Sequence, residues 1–131
     1  MGALAESFGL RQALKYRKPI KEELETLLRL DAAFMDGSAD RALGRWYFKV
    51  PRLLGGDRTL AEAHLRKSLT YNPDSTVSHF FLGELFQDDK RMAEARVEFQ
   101  KVLDAPLSRD FAPEDQDYKE RARKVLLTLR P

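Results

Sequence analysis

Apolar residues recur along this chain every three or four positions, which is the spacing of one face of an α-helix. One such stripe near the start comprises Ile20, Leu24, Leu27 and Leu28, and one near the end comprises Tyr118, Ala122, Val125, Leu126 and Leu129. Short polar segments with glycine or proline separate the stripes and are typical of turns. The pattern predicts an all-α chain of about seven helices.

Two segments in the middle of the chain repeat each other: LGRWY at residues 43–47 and LGELF at residues 82–86. Each is followed by an alanine and a larger apolar residue four positions later, namely Ala61 and Leu65, then Ala95 and Phe99. The corresponding members of these two pairs lie 34 residues apart. That period resembles the tetratricopeptide (TPR) repeat, in which two antiparallel helices cross closely at small residues. We therefore expect Gly44 and Gly83 to lie where two helices meet.

The repeats predict one domain over residues 1–131, an all-α, short TPR-type right-handed solenoid of antiparallel helix pairs. Its expected parts are a degenerate capping pair over residues 3–34, a repeat over 38–73, a repeat over 75–106 and a capping helix over 113–130.

The first repeat carries a five-residue insertion in the loop VPRLLGGD, residues 50–57. A TPR turn is ordinarily short and polar, whereas this loop contains Leu53 and Leu54 and a pair of glycines that permit unusual backbone angles. Either the loop folds back on its own repeat, which we favour, or it offers its leucines to a partner.

The amino-acid composition excludes several classes of protein but does not identify a function. The net charge of +2 is too small to indicate a nucleic-acid-binding protein, and 43% apolar content excludes a disordered chain. The absence of cysteine excludes disulfides, thiol catalysis and thiolate metal sites. No apolar run approaches the roughly 18 residues of a membrane span, and the first residues lack the pattern of a signal peptide.

The segments RALGRWY (41–47), VPRLLGGD (50–57) and AEAHL (61–65) together resemble the T-component family of TRAP transporters. That family has an R-A-L-G-x-x-Y helix, a P-x-x-x-G-G-D loop and an A-x-x-x-L helix. FLGE at 81–84 resembles its second repeat, and the resemblance covers most of residues 20–129.

The resemblance implies a non-enzymatic helper protein that is periplasmic and often lipid-anchored. Its implied partner is the soluble substrate-binding protein of a TRAP uptake system for small organic ligands. Because the chain has no lipid-attachment cysteine, membrane association would need an anchor absent from this chain. Without an upstream signal segment, the expected location is the cytoplasm.

TPR arrays bind with the inner face of their first helices, so positions counted from the two glycines should line a groove. With the two leucines of the inserted loop, the expected partner-binding residues are Arg41, Arg45, Phe48, Lys49, Leu53, Leu54, Phe80, Glu84 and Gln87. The groove would then have a basic half and an acidic half. The alternative is that the charges are merely solvated and that Phe48 and Phe80 pack between helices.

Two other functions remain open. A channel between helix layers, lined by Trp46, Phe48 and Phe80, would bind a small apolar ligand, and a generic cytoplasmic adaptor would bind other proteins. Self-association is compatible with each of them.

The sequence shows no catalytic motif, so we predict no enzyme, no catalytic residue and no cofactor. His64 and His79 lack the spacing of metal ligands, and we predict that both are structural. Trp46 is expected to pack against the preceding helix pair, at Phe34 or Met35.

Overall fold

The computed structural model describes residues 11–12, 14–109 and 112–129. Within them lie six α-helices: α1 (Arg17–Leu30), α2 (Phe34–Lys49), α3 (Arg58–Tyr71), α4 (Thr76–Asp88), α5 (Met92–Asp104) and α6 (Ala112–Thr128). A 3-10 turn at Arg52–Leu54 lies in the inserted loop. The all-α prediction is confirmed. The first predicted helix, residues 3–17, lies mainly outside the described residues.

Helices α3 and α4 begin at the capping residues that the physical chemistry of helix ends favours. The Asp57 carboxylate accepts a hydrogen bond from the Leu60 backbone amide at 3.0 Å. The Ser75 hydroxyl accepts one from the Ser78 amide at 3.1 Å. Each bond satisfies an amide that has no partner within its own helix, so the start of each helix is fixed locally.

Helix α2 is interrupted near its start. Met35, Asp36 and Gly37 have φ angles of 47°, 57° and 80°, so regular helix resumes only at Ser38. A Cβ atom on Gly37 would lie 2.7 Å from Cδ2 of Tyr71. The left-handed conformation costs an ordinary residue about 1 kcal/mol or more, so the end of α3 must hold this turn in place.

The core lies within and between two helix pairs, α2 with α3 and α4 with α5. Leu43, Leu65, Leu82, Phe86 and Phe99 are almost fully buried there. Their burial supplies most of the apolar contact that holds the four helices together.

The two glycines lie at the closest helix approaches. A Cβ atom on Gly44 would lie 2.6 Å from Cγ of Leu65 and 3.0 Å from the Ala61 carbonyl oxygen. A Cβ atom on Gly83 would lie 2.7 Å from Cε1 of Phe99. The predicted close contact at each glycine is confirmed.

The end helices are bound in different ways. No residue of α1 is fully buried, and α1 packs against α2. Helix α6 is fastened to the end of α5 by Lys119, whose ammonium donates to the carbonyls of Val102 at 2.8 Å and Leu103 at 2.9 Å, and also to that of Ala105. These carbonyls have no partner within α5, and a cation suits the negative end of a helix.

Candidate functional site

A mostly apolar cavity of about 580 Å³ opens among α1, α2, α4 and α6. We call this cavity the groove; its floor is formed by Leu24, Ala42, Trp46, Val77, Phe81 and Tyr118. It is open on one side, as a docking surface must be.

Three cations of α2 lie along the groove: Arg41, Arg45 and Lys49. They are spaced at i, i+4 and i+8, so they share one face of the helix. The same spacing placed them on an inner face in the sequence analysis, and the structure brings them together. That they bind a partner stays a prediction.

Arg45 is already engaged within the molecule. Its guanidinium forms an ion pair with Glu84 of α4 and lies 4.3 Å from the centroid of the Phe81 ring. The expected basic and acidic halves of the groove therefore partly neutralise each other across α2 and α4.

Arg41 is different, because it has no carboxylate within ion-pair distance among the described residues. One of its nitrogens, Nη1, donates a long hydrogen bond of 3.4 Å to the Asp36 carbonyl. Burial lowers the pKa of the Arg41 guanidinium, although the negative charges of Glu114 and Asp36 oppose that effect. Within the described part of the chain, this is the one hydrogen bond of the Arg41 guanidinium, which carries five N–H donors.

A second cavity of about 330 Å³ adjoins the groove, and we call it the polar pocket. It shares Arg41, Val77 and Glu114 with the groove and adds side chains from several turns, including Asp36, Asn72, Asp74 and Ser108. The two cavities thus adjoin at Arg41, Val77 and Glu114.

Comparison with known protein families identifies the family of this chain. The family model of the TRAP transporter T-component matches residues 11–118. The chain is a member of the TRAP transporter T-component family. No curated protein and no solved structure matched the chain.

Phe80 of this T-component was expected to face the groove but is buried. Phe80 is only 5% exposed, and its ring packs against Phe99 at 5.4 Å and Tyr118 at 5.2 Å between centroids. The prediction that Phe80 faces the groove is wrong, and the alternative that it packs between helices is correct. The next residue, Phe81, faces the groove because it lies one helical turn after Val77.

The other predicted residues of this T-component do not all share one surface. Phe48 lies outside the groove, with Nζ of Lys49 5.0 Å and Cζ of Arg58 5.9 Å from its ring centroid. Gln87 is half-buried near the end of α4 and does not line the groove.

The inserted loop folds back on its own repeat, and the binding of a partner by its leucines stays a prediction. Its backbone folds back, since the Gly56 amide donates to the Pro51 carbonyl at 3.0 Å and the Asp57 amide to the Tyr47 carbonyl at 3.0 Å. At its tip, however, Leu53 is 98% exposed and Leu54 is 41% exposed. The backbone is tucked while one leucine stands free for a contact.

Trp46 connects the groove to this loop. Its Nε1 donates to the Arg17 carbonyl at 2.9 Å, and a Cβ atom on Gly55 would lie 3.3 Å from its Cη2. The predicted packing on the preceding helices is therefore correct, but Trp46 packs at Arg17 and the loop. Phe34 and Met35, the predicted neighbours, are about half exposed.

Two histidine–carboxylate pairs were not foreseen. Nδ1 of His64 lies 2.8 Å from Asp40 Oδ1, and Nδ1 of His79 lies 2.6 Å from Glu98 Oε2. The 34-residue repeat was the available signal, because it aligns His64 with Glu98, and the LG motifs align Asp40 with His79. Among the described residues, no cluster of three or more His, Cys, Asp or Glu side chains suits a metal ion.

Within the part of the chain that the structure describes, no helix is long and apolar enough to span a membrane.

Proposed function

We propose that this chain is a non-enzymatic helper protein that docks the substrate-binding protein of a TRAP-type uptake system. Membership of the T-component family supports a role beside a transporter. The observation that carries the proposal is the row of Arg41, Arg45 and Lys49 beside an apolar floor. Arginines beside apolar and aromatic side chains are typical of protein-binding surfaces.

We also propose that the helix pairs are TPR repeats, over residues 38–73 and 75–106, capped by residues 3–34 and 113–130. The close contacts at Gly44 and Gly83 support this assignment, since each glycine occupies the same place in its pair. In such an array, the groove is the inner face of the solenoid.

The free leucines extend the proposed docking surface beyond the groove. Leu53 stands fully exposed on the inserted loop, and that loop contacts Trp46 of the groove floor through Gly55. A partner that covered both would bury Leu53 and approach Lys49 at the same time.

Capture of a purified substrate-binding protein tests the proposal. The immobilised chain is exposed to the substrate-binding proteins of the TRAP systems of the source organism, and affinity is measured by surface plasmon resonance. Changing Arg41, Arg45 and Lys49 together to Glu should weaken binding by about tenfold or more, because like charges would then face the partner.

A matched control changes three exposed cations elsewhere, Lys67, Arg123 and Lys124, to Glu. Both triple variants need the same thermal unfolding check, because Glu at position 45 would face Glu84. An equal loss of affinity in both triple variants would show a general effect of charge. Unchanged affinity of the groove variant would show that the groove is not part of the docking surface. No capture by the native chain would contradict the helper role.

A second candidate function is the binding of a small apolar ligand in the groove, which its volume of about 580 Å³ and apolar floor favour. Trp46 is the only tryptophan of the chain, so its fluorescence reports on the groove. A saturable change on titration with 4-phenyl-1-butanol would support this function, and an unchanged spectrum would exclude it for ligands of that size.

A further inference from the structure

We propose that the groove and the polar pocket together bind an extended segment of the partner protein in which an acidic residue has apolar residues on one side and a basic residue on the other. The acidic side chain contacts Arg41, the apolar side chains lie on the groove floor and the basic side chain enters the polar pocket. This inference rests on the proposed docking function and specifies the chemistry of the partner.

The arrangement of the two cavities favours an extended segment. The two cavities, of about 580 and 330 Å³, meet at Arg41, Val77 and Glu114. A compact small molecule is ordinarily enclosed over most of its surface, whereas the groove is partly open to solvent and adjoins a second cavity. A chain segment can run through both cavities and still leave the protein at each end.

Arg41 sets the position of the acidic residue. Its guanidinium lies at the junction, is partly desolvated and uses one donor in a 3.4 Å hydrogen bond. A planar guanidinium with free N–H groups binds a carboxylate through two parallel hydrogen bonds. Arg45 cannot serve in its place, because Glu84 already holds it.

The floor on one side of Arg41 is apolar and aromatic. Trp46, Phe81 and Tyr118 offer rings to the groove, and Leu24 and Val77 add aliphatic surface. Burial raises the pKa of the Tyr118 phenol, so this ring stays neutral at physiological pH. Apolar side chains of the segment therefore belong on this side.

The other side of Arg41 is acidic. Asp36, Asp74 and Glu114 line the polar pocket, and within the described residues none of them forms an ion pair. Asp115 also lines it, but its carboxylate accepts hydrogen bonds from the Thr76 hydroxyl at 2.6 Å and the Ser108 amide at 2.7 Å. The three other carboxylates complement a cation.

Neither the acidic nor the basic residue of the segment is complementary on its own to the place where the two cavities adjoin, because both Arg41 and Glu114 lie there. A lone carboxylate on Arg41 would meet the negative charge of Glu114, which lines both cavities. A basic residue next to the acidic one neutralises that repulsion. Charge complementarity therefore requires the pair, with the acid on the groove side.

A peptide titration tests this order. The probe is acetyl-Leu-Phe-Glu-Lys-Ser-amide, made in both chain directions, and binding is followed by Trp46 fluorescence and calorimetry. Replacing the peptide Glu by Gln, or changing Arg41→Gln, should each weaken binding by about tenfold, as expected for a charge-assisted hydrogen bond that is half exposed. Together they should weaken it little more than either alone, because they remove the same contact.

Two further variants keep the test independent of folding. Arg96→Gln is the matched control, since Arg96 is also half-buried, donates to one backbone carbonyl at 3.1 Å and does not line the groove; binding should be unchanged. Glu114→Gln should weaken binding of the probe peptide. It should not weaken binding of a peptide in which the Lys of the probe is replaced by Gln.

The inference is overturned if the Glu and Gln peptides bind equally, if the two losses simply add, or if exchanging Glu and Lys in the probe has no effect. Binding of 4-phenylbutyrate that depends on Arg41, without binding of the peptide, would assign the site to a small carboxylate instead. A fluorescence change that follows protein concentration, with dimers in light scattering, would assign it to a second copy. Capture of the substrate-binding protein without this peptide selectivity would leave the docking function intact and reject the inference alone.

Discussion

His79 is buried with a hydrogen-bond acceptor at each ring nitrogen. Nδ1 lies 2.6 Å from the Glu98 carboxylate, and Nε2 lies 2.7 Å from the Pro73 carbonyl oxygen. A neutral imidazole has one N–H and can donate only once, whereas an imidazolium donates at both nitrogens. The imidazole thus links the turn before α4 to the middle of α5.

The pKa of Glu98 sets how the stability contributed by this histidine–glutamate pair depends on pH. Burial alone would raise the pKa of its carboxyl, but the hydrogen bond and charge of His79 outweigh burial and lower it below its ordinary 4.5. Because the folded value is the lower one, the pair stabilises the fold above about pH 4.5, and its contribution is lost as the pH falls through the folded value.

We predict that Glu98→Gln lowers the free energy of unfolding at pH 7 by about 1–3 kcal/mol, because it removes a charge-assisted hydrogen bond in a buried site. The difference from the native chain should shrink as the pH falls below 4.5. Urea unfolding followed by circular dichroism at several pH values measures it, and Glu25→Gln, on the exposed face of α1, is the control. A difference that stays constant down to pH 2 would contradict the assignment.

A second prediction at the scale of one residue concerns the glycine at the first helix crossing. Gly44→Ala should lower the free energy of unfolding by about 1–3 kcal/mol, because the added methyl group overlaps Leu65 and the Ala61 carbonyl. The gain in helix propensity is smaller, about 1 kcal/mol. Ala93→Val adds bulk on an exposed part of α5 and should change stability by less than about 1 kcal/mol. Equal stability of Gly44→Ala and the native chain would show that α2 and α3 can separate without cost.

At the scale of the element, helix α6 depends on Lys119, which donates to three carbonyls at the end of α5. We predict that Lys119→Met, which keeps the apolar stem, lowers stability by about 1–2 kcal/mol. It should also speed amide hydrogen exchange at the end of α5 and in α6. Lys124→Met, at an exposed position of the same helix, is the control, and unchanged exchange in Lys119→Met would contradict the role.

The elements themselves were largely predictable. Helices α3, α4 and α5 lie within the ranges 38–73 and 75–106 that the apolar spacing predicted, because each helix buries one apolar stripe. The predicted start of the first repeat at residue 38 coincides with the start of regular helix in α2, after the three left-handed residues Met35 to Gly37. That turn lies against Tyr71 and Ser68 of α3, and a contact so distant in sequence leaves no local signal.

At the scale of the whole molecule, the candidate site was only half predictable. Arg41, Arg45 and Lys49 share one helix, so their spacing alone placed them on one surface. Phe81 was missed in favour of Phe80 because the helix rotates by 100° per residue and a one-position error moves a ring from the core to the groove. The polar pocket was not predictable, since four separate turns and helix ends assemble it.

The two histidine–acid pairs are mirror images of each other in chain order. In the first helix pair the acid, Asp40, precedes the histidine, His64; in the second the histidine, His79, precedes the acid, Glu98. A single helix moved between the pairs would set two acids or two histidines face to face, whereas two helices moved together would carry their match with them. An exchange of one helix would therefore remove both histidine–acid hydrogen bonds, whereas an exchange of a whole pair would keep them.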